Sequence, residues 1–536
     1  MNGRRLLTRA SVLGLMIVLT GGLGAGFSRA VTRHRQTAGY SDEDGPRTML
    51  AIGVPGEDIG DTTDAGAVNL LYEFSTDDDQ FWQQDIPTAG AAEAYDAFGS
   101  ALAGGDFDGD GYMDLAVGVP GQDVNGKPAA GAVHILYSDS GTLSEEGDEI
   151  WHQGVANVEG GVEAGDSFGH ALAAGDFDSD GYDDLAVGVP REDKGSESET
   201  GAVNVLYGSP NGLSAAGNQI WDQDHLDGYG TQPGDRFGWA LAVGYLDDDE
   251  YADLAVGAPY DDVEGTTDEG VVSVLGGGPG GLSGAMDSAA VGSQIHLADG
   301  AASNDRAEGY AGLALAVGDF DGSGVDDLAV GAPGITLDAE SGAGWVMVAY
   351  HCPVGMDVGF FHQQGPALED EPGADDGFGS ALAVGDFDRD GHDDLAVGVP
   401  GEDLGSDPPE EGAGAVHVLY GAGDGLSGNG SQFVTQGSRA EAGDGFGHAL
   451  AAGDLDLDGY DDLAIGAPRD EGNVGSVTFQ VGTESGLTSV YFGSAPFISQ
   501  DTVSGVPEDG DGFGYALAAI PPVTEEIFLP LVLRDA

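Results

Sequence analysis

Sixteen residues, GDFDGDGYMDLAVGVP (105–120), place Asp106, Asp108, Asp110 and Asp114 within nine positions and run straight into an apolar segment. Nearly the same words recur as GDFDSDGYDDLAVGVP (175–190), GDFDGSGVDDLAVGAP (318–333), GDFDRDGHDDLAVGVP (385–400) and GDLDLDGYDDLAIGAP (453–468). Counted from the first aspartate, side-chain oxygens stand at positions one, three, five and nine, with glycine at six. Alternate residues of a tight loop point to one centre, and glycine permits the left-handed turn that bends the chain around it. A backbone carbonyl is available at position seven. Such a loop offers oxygens only, enough for six or seven ligands. That suits a hard cation held at ~2.3–2.6 Å, Ca²⁺ rather than the reluctantly dehydrated Mg²⁺.

The first ligand positions parallel those of the EF-hand loop, but here the last acid falls at nine and a strand follows, so the motif is a different one. A single acidic turn of this kind has solvated charge as its alternative explanation. Five at fixed offsets favour the metal, because clustered carboxylates repel without a counterion. About five Ca²⁺ sites are expected. The loop from Asp319 carries Ser323 at position five. A sixth loop, YLDDDEYAD, has Tyr245 at position one and Glu250 where glycine belongs, so weak or no binding is expected there, through Asp247, Asp249 and Asp253 if at all.

The loops sit between short apolar phrases that recur with gaps of 70, 69, 74, 67 and 68 residues. Each period carries four phrases: FGSALA, LAVGVP, GAVHILY, and an aromatic patch with Gln such as EIWHQG. All are four to eight residues long and bounded by Gly, Pro or Asp, which is a strand signature. Each phrase occurs seven times, which predicts an all-β fold, a seven-bladed β-propeller of four-stranded blades. The alternative is a solenoid, which needs capping repeats at both ends. The ends favour the propeller. The repeat region opens with TMLAIGVP, a second strand without its first, and closes with FGYALAAI, a first strand without its second. Joined, the N- and C-terminal strands complete one blade. The expected order is a signal peptide over 1–30, a linker over 31–48, the propeller over 49–520 and a tail over 521–536.

The chain has 536 residues with 94 acidic against 16 basic, a formal charge of -78. Nucleic acid and anionic membranes are poor partners for such a field, and cations are good ones. The single cysteine, Cys352, excludes an intrachain disulfide. Arg4, Arg5 and Arg9 precede an apolar run that ends in the small residues Ser28 and Ala30, the pattern of an export signal. A secreted or cell-surface protein is expected, monomeric and without a transmembrane helix in its mature form. Residues 527–533 of the tail are apolar but too few to cross a bilayer.

Together the FG, DxDxDGxxDL and VGAP phrases resemble the FG-GAP repeats of integrin alpha-subunit propellers. The resemblance covers roughly residues 49–520 and implies Ca²⁺ in the loops between first and second strands. It implies one ion on Asp106, Asp108, Asp110, the Tyr112 carbonyl and Asp114, and a second on Asp176, Asp178, Asp180, the Tyr182 carbonyl and Asp184. A third falls on Asp319, Asp321, Ser323, the Val325 carbonyl and Asp327. The fourth falls on Asp386, Asp388, Asp390, the His392 carbonyl and Asp394, and the fifth on Asp454, Asp456, Asp458, the Tyr460 carbonyl and Asp462.

Function is less legible. Connections such as PGEDIGDTTDAGA (55–67) vary in length while the strands do not, which suits binding loops on a rigid scaffold. The expected role is a Ca²⁺-binding module for an unidentified protein or glycan, adhesion-like in kind. The alternatives are a hydrolase or lyase on a propeller scaffold and a structural surface-layer component. No catalytic residue is assigned. His134 and His417 share one repeat position and His170 and His448 another, which favours packing over a unique base.

Overall fold

The computed structural model describes residues 48–521 apart from 61, 73–74, 85–91, 139–141, 145–146, 227–229, 264, 285–293, 296–305, 351–356, 366–367, 369, 406–408, 490–496, 504–507 and 509. The export signal expected over 1–30, the linker up to residue 47 and the tail from 522 lie outside the described residues.

Seven antiparallel sheets form a ring. Blade 1 comprises Ala101–Gly105, Asp114–Val119, Ala132–Leu136 and Glu149–Trp151. Blade 2 comprises Leu172–Gly175, Asp184–Val189, Ala202–Tyr207 and Ser214–Trp221; blade 3, Leu241–Gly244, Asp253–Ala258, Val271–Leu275 and Gln294–Ile295. Blade 4 comprises Ala314–Gly318, Asp327–Ala332, Trp345–Tyr350 and Asp357–Phe361; blade 5, Ala381–Gly385, Asp394–Val399, Ala415–Tyr420 and Ser427–Val434. In blade 6, Ala449–Gly453, Asp462–Ala467 and Ser476–Val481 are followed by two short outer pieces, Thr488–Ser489 and Phe497–Ile498. Blade 7 joins the two ends of the repeat region. Ala516–Ile520 pairs with Met49–Val54, Met49 opposite Ile520 and Gly53 opposite Ala516, and Ala67–Tyr72 and Ser75–Gln83 follow outward. The complementary fragments do make one blade.

The second strands are buried at every position, from Asp114–Val119 to Met49–Val54, because neighbouring blades cover both faces. That is why they read as unbroken apolar runs rather than alternations. The hydrophobic core is accordingly divided into wedges, one per blade boundary. Between blades 7 and 1, Phe98 packs with Val68, Leu70, Leu115 and Val117. Phe168, Phe237, Phe378, Phe446 and Phe513 repeat its position and are all fully buried.

Both glycines of the repeat word act at these boundaries. Gly99 has φ +92, and its amide donates to the Gly118 carbonyl of its own blade at 3.1 Å. A Cβ on Gly118 would lie 2.2 Å from the carbonyl oxygen of Gly169 in blade 2. Gly53, Gly188, Gly257, Gly331, Gly398 and Gly466 each face the next blade in the same way, at 2.1 Å. Glycine is required here because no side chain fits between blades this close.

Candidate metal centres

Each complete aspartate loop leaves a first strand and enters a second. In the loop from Asp106, glycines 109 and 111 take φ +71 and +91. The left-handed residue at position four is non-glycine in three other loops: Ser179, Arg389 and Leu457, at φ 57, 57 and 60. The tight turn brings amides onto the carboxylates. Asp106 Oδ1 accepts from Asp110 N at 3.1 Å and its Oδ2 from Gly111 N at 3.1 Å. Asp114, fully buried, accepts from Phe107 N at 3.0 Å and from Ser138 N, just past the third strand, at 2.9 Å. Asp184, Asp394 and Asp462 repeat this double clasp.

Positions one, three and nine converge in five loops: Asp106, Asp108 and Asp114; Asp176, Asp178 and Asp184; Asp319, Asp321 and Asp327; Asp386, Asp388 and Asp394; Asp454, Asp456 and Asp462. In each triple one oxygen per carboxylate lies within 4.8 Å of the other two. Two oxygens on one ion at 2.3–2.6 Å lie no more than about 5 Å apart, so each triple fits a single cation. Position five is not part of the triples. Asp110, Asp180, Asp390 and Asp458 are exposed and accept the amide of position seven at 2.9–3.1 Å. Ser323 Oγ donates to the Val325 carbonyl at 3.2 Å, and the His392 ring turns to Asp390 at 3.0 Å.

The electrostatics call for a positive charge. Burial, reinforced by the neighbouring aspartates, pushes Asp114, Asp184 and Asp394 up to about 8 and Asp462 up to about 7, against the pull of their amide hydrogen bonds. Asp178 Oδ1 and Asp454 Oδ1 are buried with no hydrogen-bond partner. Carboxylate oxygens without donors are what a bound cation satisfies, and oxygen-only donors match a hard one.

The degenerate loop differs as its residues imply. Tyr245 replaces the first carboxylate, neither Asp248 nor Glu250 takes a positive φ, and no triple forms there among the described residues. Asp253 nevertheless keeps the double clasp, to Leu246 N at 2.8 Å and Gly277 N at 2.9 Å. The ninth position therefore holds the blade together even where the triple is missing.

Two further positions escape a reading of one loop at a time. Position two is Phe107, Phe177, Leu246, Phe320, Phe387 or Leu455, buried in the wedge shared with the next blade. Position eight links adjacent loops. Asp183 Oδ2 accepts the amide of Asp106 at 2.8 Å, Asp326 that of Tyr245 at 2.8 Å, Asp393 that of Asp319 at 2.9 Å and Asp461 that of Asp386 at 3.0 Å. In blade 7, Thr48 donates Oγ1 to the Asp454 carbonyl at 3.0 Å from the corresponding place. The doubled aspartates of DDL were the available signal.

On the opposite face, where first strands start and second strands end, aromatic rings form a row. His170 and Trp239 lie 4.5 Å apart between centroids, Trp239 and Tyr260 5.4 Å, and Tyr260 and Tyr310 5.4 Å. Arg236 lies over the Tyr260 ring at 4.7 Å and pairs with Glu199 at 2.8 Å. Among the described residues no helix is long and apolar enough to cross a membrane.

Comparison with known proteins agrees with this geometry. The FG-GAP repeat family model matches residues 98–136, 168–206, 237–275, 378–419 and 446–479, which fall in blades 1, 2, 3, 5 and 6. Integrin alpha-PS2 of Drosophila melanogaster is 33% identical over 243 residues, 44% of this chain and 15% of that protein. Integrin alpha-5 of Xenopus laevis is 32% identical over 262 residues, 47% of this chain and 22% of that one. Phosphatidylinositol-glycan-specific phospholipase D of Bos taurus is 34% identical over 168 residues, 31% and 19% of the two chains. The matches thus span less than a quarter of the length of these relatives.

Proposed function

The chain is an FG-GAP repeat propeller resembling that of integrin alpha-subunits, and on that premise we propose that it is an exported, Ca²⁺-stabilised module that binds a protein or glycan on the face opposite its aspartate loops. The five converging triples carry the metal reading. In each loop the carboxylates of positions one, three and nine hold the ion, and the position-five side chain and position-seven carbonyl complete its shell. Bound Ca²⁺ supplies charge compensation, so that buried aspartates such as Asp114 stay ionised in their clasps. A formal charge of -78 supports a role among cations outside the cell rather than on nucleic acid.

The ligand face is assigned to the row His170, Trp239, Tyr260 and Tyr310. Its flat rings offer apolar area with polar edges, the surface on which sugar faces and peptide side chains stack. Ring closure leaves no inner sheet edge to pair with another chain, in keeping with a monomer. The test is a glycan and protein array probed in Ca²⁺ and again in EDTA, with Trp239→Ala beside the wild type. A Ca²⁺-dependent hit lost in Trp239→Ala is expected. A hit unaffected by both treatments contradicts the assignment. Since one relative is by name a phospholipase, each hit is also followed for turnover, and product formation would make the module an enzyme.

A further inference from the structure

The recurring Gln of the fourth phrase has a role away from the loops. Gln84, Gln153, Gln223, Gln363 and Gln436 donate Nε2 across a blade boundary to Gln122, Glu192, Asp261, Glu402 and Asp470, at 2.5–3.0 Å, and Gln500 does so to Glu57. Each acceptor stands two residues after the proline that closes a second strand. The polar residue in the middle of the third strand faces the same cluster: Asn204 Oδ1 meets Gln153 Nε2 at 3.4 Å.

These boundaries are not equivalent in charge. Between blades 1 and 2, Asn204 also donates to the Glu159 carbonyl at 2.8 Å, and the cluster is satisfied. Between blades 5 and 6, Arg439 reaches Asp470 at 2.5 Å, so the chain supplies its own cation. The boundary between blades 2 and 3 has neither remedy. Asp261 accepts from Gln223 at 2.5 Å and from Gln232 Nε2 at 3.2 Å, and Asp235 accepts from Gln232 N at 2.5 Å. Gln223 and Asp261 are fully buried, and Asp235 and Ser273 are 1% exposed. Arg236, the nearest base in sequence, is turned to Glu199. Gln223 Oε1, on the carboxamide already bonded to Asp261, has no partner, as is true of the same atom in Gln84, Gln363, Gln436 and Gln500, so it is the uncompensated pair of buried carboxylates that sets this boundary apart from that of Arg439. Ser273 Oγ, which stands opposite Val256 as Asn204 stands opposite Val187 in blade 2, has no partner either.

We propose that this pocket is a further cation site, separate from the loops, in which a hard divalent ion such as Ca²⁺ is held by Asp235, Asp261, Gln223 Oε1 and Ser273 Oγ. Two carboxylates supply the charge, and the unpartnered oxygens of Gln223 and of Ser273, which holds the register position of Asn204, complete an all-oxygen set of the kind Ca²⁺ accepts. Burial and then the Asp261 charge hold the Asp235 carboxyl well above its usual range, which a cation would reverse. Arg439 at the boundary between blades 5 and 6 is the internal precedent, a positive charge built into the corresponding place.

The experiment is a long-wavelength anomalous difference map of crystals of the full chain grown in Ca²⁺, with metal counting by native mass spectrometry. The expected result is a peak between Asp235 and Asp261, and one ion fewer in Asp261→Asn with the loop peaks unchanged. A water-like feature without anomalous signal, or empty density, overturns the site in favour of buried water or a shared proton. The wild-type map decides the matter even if the variant fails to fold. Because loop peaks and this peak are read separately, failure here leaves the loop reading standing, and the reverse.

Discussion

Asp183 in blade 2 accepts the backbone amide of Asp106 in blade 1 through its Oδ2 at 2.8 Å, while its own amide donates to the Asp106 carbonyl at 3.0 Å. The first ligand of one metal loop is therefore positioned by the next blade. Removing that carboxylate leaves a partly buried amide without its acceptor, at a cost of about 1–3 kcal/mol at most. Asp183→Ala should lower stability by that amount in urea unfolding. In Ca²⁺ titrations it should weaken one site of the set and spare the others. A uniform loss at all sites, or none, would show that the loops are positioned independently.

The boundary glycines make a steric prediction that is separable from backbone strain. Gly118 has no left-handed φ, yet a Cβ there meets the Gly169 carbonyl at 2.2 Å, whereas Gly126 has φ +75 and open space around it. Gly126→Ala should cost ~1–2 kcal/mol, from the left-handed conformation alone. Gly118→Ala should cost more than about 3 kcal/mol or prevent folding, because two blades must separate to admit the methyl group. Denaturant unfolding of the pair checks this; equal costs would contradict the close approach.

Much of this architecture is legible in the sequence because it is written within single repeats. The spacing of Asp106, Asp108 and Asp114 fixes which oxygens converge, and the phrases split between residues 49–54 and 516–520 announce a closed ring. What lies between repeats is not legible in that way. Phe107 and Asp183 act across a blade boundary, on partners about one period away, and no local pattern names those partners. Position five alternates as a ligand would, and in the structure Asp110 also accepts the Tyr112 amide, a local hydrogen bond that the alternation does not name. The repeating Gln reads as part of a strand, and only the three-dimensional neighbour reveals its acidic acceptor.

The buried acids of the opposite face give the pH dependence a definite sign. Burial raises the Glu192 carboxyl to about 7, with the Asp166 charge adding to it and the Gln153 hydrogen bond opposing it. A carboxyl that binds its proton more tightly folded than unfolded stabilises the fold fully below its unfolded value, near 4.5. That contribution is lost as pH rises through 7. Glu192→Gln keeps a neutral hydrogen-bonding group, so it should flatten the stability profile between about pH 4.5 and 7, by at most about 3 kcal/mol. Equilibrium unfolding across that range in constant Ca²⁺ checks the slope; parallel profiles for variant and wild type would contradict it.

The central claim, that divalent ions held by the five aspartate triples stabilise the ring, is tested most directly by calorimetric melting of the full chain in saturating Ca²⁺ and after thorough chelation. Each site at a hundredfold excess over Kd contributes ~2.7 kcal/mol. With an unfolding entropy of about 2 cal/mol/K per residue, five such sites should raise Tm on the order of 10 °C. A Tm unchanged by chelation would contradict the account.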